Sequence, residues 1–302
     1  MVATRVKLNA MIIVLLTPKS NFTEQDVRAA AGEGSEKLEF HEVSTIPTRR
    51  ELKVLNPLPE LVTEPTPTLD EIAAQPDVPH QGEPQPAPHV TSEPVRVVVI
   101  GEDATVAAVA SKLMRIDALW AQLAYVPTGG ESAIAHSWGL PEEPGAALEF
   151  ALTSPPVPTP VIRDDHSIVV LGSAELTGPE GGELYGEVIV DSDTLYHHDR
   201  GARGDFTHGV RLVPTPSAPG IAAVQLPSPE QVNRLAKARS GGWWAKFTAG
   251  FRPPAEPTIL KGRALQAGAR EMTVTRDTVT HPRPLKAVTF YRHLRDGQFI
   301  RR

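Results

Sequence analysis

Apolar residues fall into two different rhythms along this chain. Over the first half, short β-branched and leucine runs alternate with amphipathic stretches. Residues 12–16 form such a run and end in a turn at Pro18, the pattern of a parallel strand buried on both faces. Thr23 offers an N-cap, with Glu24 and Asp26 in the first turn of a helix predicted to reach about Ala31. Residues 38–43 alternate as a second strand. The sequence at 95–100, Val-Arg-Val-Val-Val-Ile, is a third, followed by Gly101-Glu102-Asp103-Ala104-Thr105 and a helical run over 106–114. A further strand at 121–126, the turn Pro127-Thr128-Gly129-Gly130 and a helix over 131–138 complete this part.

After about residue 153 the rhythm changes to short alternating strands at 168–171, 184–190, 210–213 and 220–226, with 270–275, 287–291 and 298–300 closing the chain. A helix is expected at 229–239. The fold class that follows is α/β: an N-terminal, doubly wound, Rossmann-like nucleotide domain over 1–152 and a mainly antiparallel β domain over 153–302. The chain end is expected to pack back on the first domain. Residues 56–94 break the first pattern, being dense in proline with almost no apolar periodicity, and read as an exposed, mostly disordered insertion.

Composition narrows the classes. Hydrophobic residues at 40% fill two cores, and the absence of cysteine removes disulfide scaffolds and thiolate metal sites and fits a reducing cytoplasm. The apolar run at 10–16 is far shorter than the ~20 residues of a membrane span, and Thr17-Pro18-Lys19-Ser20 follows it in place of a signal-peptide cleavage site. A net charge of −6 argues against nucleic acid as a partner.

Strand, tight turn and helix start in succession is where backbone N–H groups and the helix dipole can hold an anion, which makes Gly101 to Thr105 the first chemical signal. Together with Pro127-Thr128-Gly129-Gly130-Glu131-Ser132-Ala133 and the turn Pro18-Lys19-Ser20, it resembles the catalytic domain of diacylglycerol-kinase-like lipid kinases. That family reads Gly-Gly-Asp-Gly-Thr in the first loop and Pro-x-Gly-Thr-Gly-Asn-Asp in the second. The resemblance covers most of residues 11–150 and, more loosely, the β-rich half.

The resemblance implies ATP with Mg²⁺ over the first loop and a lipid hydroxyl entering between the domains. By its motif positions it places Gly101, Glu102, Asp103, Ala104, Thr105, Thr128, Gly129, Gly130 and Ser132 at the nucleotide, with Asp103 and Asp277 as the catalytic carboxylates. The reaction implied is phosphoryl transfer to a diacylglycerol-type hydroxyl. The departures point to the alternative, an inactive relative acting as a lipid- or partner-binding module. Two motif glycines are Glu102 and Ala104, and Ser132 and Ala133 stand where the family has Asn and Asp. The family's Asp-Gly-Glu triplet is missing around Asp277, with His281 a candidate substitute base. An unshielded Glu102 carboxylate 4 Å from a phosphate charge costs about 4 kcal/mol at an effective dielectric of 20. A third reading is a kinase of a soluble cofactor such as NAD, which shares the first loop.

Residues 231–255 carry Arg234, Lys237, Arg239, Lys246 and Arg252 without an acid, together with Trp243, Trp244, Phe247 and Phe251. Basic and aromatic residues together suit an anionic membrane surface, which would hold the protein peripherally on the inner face. The plainer reading has the tryptophans filling the second core. The Asp164-Asp165-His166 cluster is read as a turn.

Overall fold

A computed structural model describes residues 10–32, 37–75, 82–199, 207–227 and 258–302. In chain order the first layer contains β1 (Met11–Leu16), α1 (Glu24–Ala31), β2 (Leu38–Glu42), α2 (Leu69–Ala73), β3 (Val95–Gly101), α3 (Asp103–Arg115), β4 (Gln122–Pro127), α4 (Ala133–Ser137), α5 (Pro144–Thr153) and β5 (Val157–Thr159). The second sheet is built from β6 (Ile162–Asp164), β7 (Val169–Val170), β8 (Ala174–Thr177), β9 (Gly186–Val190), β10 (Asp193–His198), β11 (Thr207–Pro214), β12 (Ile221–Pro227), β13 (Ile259–Gly262), β14 (Ala264–Arg276), β15 (Val279–Thr280) and β16 (Leu285–Arg292). The chain then returns to the first sheet as β17 (Gly297–Phe299), giving the order β2-β1-β3-β4-β17-β5.

All contacts in that sheet are parallel except β17 with β5. β3 explains why it is doubly wound. Its alternate residues Val97 and Val99 pack with Val106, Val109 and Leu113 of α3, while Val98 and Ile100 pack with Val27 of α1 and Leu148 of α5. A strand covered on both faces needs apolar residues at every position. The exception, Arg96, is fully buried and donates to Gln122 Oε1 at 2.7 and 2.9 Å and to the Ala151 and Ser154 carbonyls. α1 starts where Thr23 and Asp26 form a reciprocal cap.

The second sheet is antiparallel, and its long strand β14 ties it together, pairing with β9 and β16 over one half and with β8 and β15 over the other. β14 ends at Arg276 against the first domain.

Two expectations change. The helix expected from residue 106 begins at Asp103, so the phosphate-type loop is shorter than the motif suggests. The expected disordered insertion is anchored in its described parts, 56–75 and 82–94. Leu58 is buried, and Thr63 and Ser92 donate to the Val90 and Leu61 carbonyls. Arg295 donates to the Pro67 carbonyl, Arg292 to the Gly82 carbonyl, and the Gln85 amide to Asp296. A proline-rich chain has carbonyls without ladder partners, and buried guanidiniums from the chain end take them. The expected helix at 229–239 lies outside the described residues.

Candidate functional site

β3 delivers the chain to the domain boundary, and its last residue, Gly101, is fixed by packing. A Cβ there would meet Thr17 Cγ2 at 2.8 Å and Thr105 Oγ1 at 2.9 Å. Glu102 follows in an extended N-cap conformation, φ −95° and ψ 168°, and its carbonyl accepts the Thr105 amide at 2.9 Å. Thr105 is fully buried and turned inward. Its hydroxyl donates to the Thr45 carbonyl at 2.7 Å and accepts the Glu102 amide at 3.3 Å. The Glu102 carboxylate pairs with Lys19 at 2.7 Å in solvent, a contact worth at most about 1 kcal/mol. Ala104 is buried and lines a cleft together with Ile168 and Val169.

Asp103, the first residue of α3, is buried and accepts four hydrogen bonds. Tyr125 donates its hydroxyl to Oδ1 at 2.9 Å, and Ser132 makes a short contact to the same oxygen. The amides of Ala133 and Ile134 donate to Oδ2 at 3.0 and 3.3 Å. Ser132 also caps α4 by accepting the Ala135 amide at 2.9 Å. Burial and the Asp103 charge push the Tyr125 hydroxyl's pKa up, so it stays a donor. The first loop is therefore bolted to the second through Asp103.

Asp277 sits in the turn between β14 and β15. Asp277 and Thr278 both have positive φ, 43° and 71°, which is costly for a β-branched residue. The turn is held because Asp277 accepts the amides of Leu171, Gly172 and Ser173 at 2.8, 2.7 and 3.0 Å and returns its own amide to the Ser173 carbonyl. Burial pushes its carboxyl up to about 6 against those bonds, with the Asp103 charge adding to the rise. Gly172 lies between Asp277 and the Ala133–Ile134 segment that donates to Asp103. A Cβ on it would meet Ile134 Cγ1 at 3.0 Å and Asp277 Oδ1 at 3.1 Å. Two sequence candidates 174 residues apart (277 − 103 = 174) are thus brought close enough for the charge of one to act on the other.

Mg²⁺ needs carboxylate oxygens it can share with water and phosphate. Both Asp103 oxygens are occupied by protein donors, and Thr105 faces the interior. The residues as placed do not fit a metal held by Asp103. The second loop keeps room: Gly129, at φ 101°, and Gly130 have nothing within 4 Å of an added Cβ. Beside them Thr128 donates its amide to the Gly101 carbonyl, while its buried hydroxyl has no partner among the described residues. Trp243 and Trp244 lie outside the described residues. His281 borders the interdomain cleft with Nδ1 against the Arg283 carbonyl. Asp164 closes its turn by accepting the amides of His166 and Ile168.

Sequence reasoning missed Tyr125, Gly172 and the cleft arginines Arg49, Arg115 and Arg276. The three-residue spacing of Lys112 and Arg115 on one helix face was the available signal. Among the described residues no helix is long and apolar enough to cross a membrane.

No protein-family model matches this sequence, and no curated protein is similar to it in sequence. Solved structures do match in shape. A diacylglycerol kinase from Bacillus anthracis str. Sterne superposes with a TM-score of 0.59 at 12% identity, over 99% of this chain and 98% of that one. A putative diacylglycerol kinase from the same organism gives 0.58 at 10% identity, over 99% of each chain. At such identity the shared property is the two-domain fold, matched along its whole length.

Proposed function

We propose that this chain, built on the fold of the diacylglycerol kinases, has given up phosphoryl transfer and works as a binding module for an anionic, lipid-type ligand. The observation that supports this most is the state of Asp103. The carboxylate at the motif position for nucleotide chemistry is buried and accepts from Tyr125, Ser132, Ala133 and Ile134. Freeing it for a metal would leave several buried donors unpaired, at about 1–3 kcal/mol each.

One observation favours an active enzyme instead. Asp277, at about 6, lies in the range of a general base. Its carboxylate oxygens, however, are turned onto three backbone amides and away from a substrate hydroxyl. An anionic membrane surface is the natural partner in this reading, met by the basic and aromatic stretch at 231–255.

Incubation of the full chain with Mg²⁺ and γ-labelled ATP on diacylglycerol mixed micelles tests the reading. The expected result is no labelled lipid above the protein-free control. Labelled lipid that disappears in Asp103→Asn or Asp277→Asn would overturn it.

A further inference from the structure

Along the other side of α3, between that helix, residues 46–52 and the β14–β15 turn, lies a cleft of about 370 Å³. Its size is that of a small-ligand site. Four basic side chains border it, Arg49, Lys112, Arg115 and Arg276, and no carboxylate does. Behind this wall, Asp164 pairs with Arg276 at 2.5 Å and offsets one of the four charges. Arg49 and Arg115 have no hydrogen bond or ion pair among the described residues. Desolvation, then the neighbouring Arg49 charge, holds the Arg115 guanidinium below its ordinary pKa against the opposing charge of Asp164. Four cations against the one carboxylate of Asp164 leave an excess of positive charge, which describes an anion site.

Arg276 supplies an independent sign. It is only 4% exposed, and its Nε has no hydrogen-bond partner among the described residues. A buried, unused guanidinium donor at a cavity wall costs free energy unless a ligand accepts from it.

The rest of the wall says what the anion is attached to. Ile46, Leu52, Ala107, Ala108, Val169 and Val279 make the floor apolar. Ser111 and Thr280 there are already engaged, and His281 is engaged through Nδ1. Ser111 donates to the Ala107 carbonyl and accepts the Val169 amide, and Thr280 pairs with Thr275. A nucleoside would bring a base and ribose with many polar groups, for which only the His281 Nε2 is left besides the cations, whereas an alkyl chain asks for none. We infer that this cleft binds an amphiphilic anion, a phosphate-type head group on an apolar tail, with Arg49, Arg115 and Arg276 on the head. The inference rests on the binding-module reading above and names its ligand class.

Calorimetric titration of the full chain with monododecyl phosphate, kept below its micelle concentration, tests it. Saturable binding is expected, at least about tenfold tighter than for inorganic phosphate, dodecanol or ADP. Arg49→Ala/Arg115→Ala should weaken it by about tenfold or more while the melting temperature holds, since both side chains reach solvent. Ala108→Trp should abolish it by filling the floor. Equal affinity for inorganic phosphate, tighter binding of ADP, or indifference to both variants would overturn the inference. Labelled lipid in the transfer assay with dodecyl phosphate binding intact would remove only the loss of transfer. No labelled lipid and no dodecyl phosphate binding would remove only this inference.

Discussion

On the side of α3 facing β4 and α4, Asp103 takes four donors and Asp277 across the boundary takes three backbone amides. On the side facing residues 46–52, Arg49 and Arg115 have no hydrogen bond or close ion pair among the described residues, Asp164 acting on Arg115 only through its charge, and the Arg276 Nε is unmatched. The same helix thus borders one polar cluster that is internally satisfied and one that is not. Buried polar groups satisfied within the protein stabilise and rigidify it, and those left open call for an external partner. The difference locates structure on the motif side and ligand chemistry on the other, the reverse of what the motif suggests.

The largest test of the satisfied side is Asp103→Ala. It strands the amides of Ala133 and Ile134 and leaves the Tyr125 hydroxyl only the Gly101 carbonyl at 3.3 Å. Urea unfolding should show a loss of roughly 3–4 kcal/mol. A loss under about 1 kcal/mol would mean the cluster is not structural.

A second test uses pH. The carboxyl of Asp277 is raised from 3.8 to about 6 in the folded protein. Its protonated form is therefore favoured by folding. That contribution is full below about pH 4 and is lost as pH rises through about 6, a span of roughly 3 kcal/mol. The stability of wild type relative to Asp277→Asn should accordingly fall between pH 4.5 and 7. A difference independent of pH would show that Asp277 titrates normally.

The smallest effect is expected for Tyr125→Phe, which removes one of Asp103's four donors without adding a cavity. Its cost should be about 1 kcal/mol. A cost equal to that of Asp103→Ala would mean that Tyr125 alone carries the cluster.

Much of the architecture was legible because strands and helices announce themselves locally. The β-branched run ending at Gly101 and the Thr23–Asp26 cap needed only neighbouring residues. The roles of the site residues were not legible, because their partners are remote. Asp103 meets Tyr125 and Ser132 at 22 and 29 residues' separation, and Asp277 meets Leu171 at 106. A motif aspartate reads the same whether it faces a phosphate or a tyrosine. The proline-rich stretch was legible as lacking regular structure, but its anchors Arg292 and Arg295 lie 210 and 228 residues further on. The cleft cations were scattered over three segments, and Arg276 hid inside a strand.

The central claim is that Asp103 holds the two loops together and is closed to a metal nucleotide. It is tested most directly by the backbone amide resonances of Ala133 and Ile134, the two amides that donate to its Oδ2. During a titration of the labelled full chain with Mg²⁺-ATP, the account predicts that both resonances stay in place and keep their protection from solvent exchange. Saturable shifts of both, lost in Asp103→Asn, would show the carboxylate turning from the protein to the metal and would contradict the account.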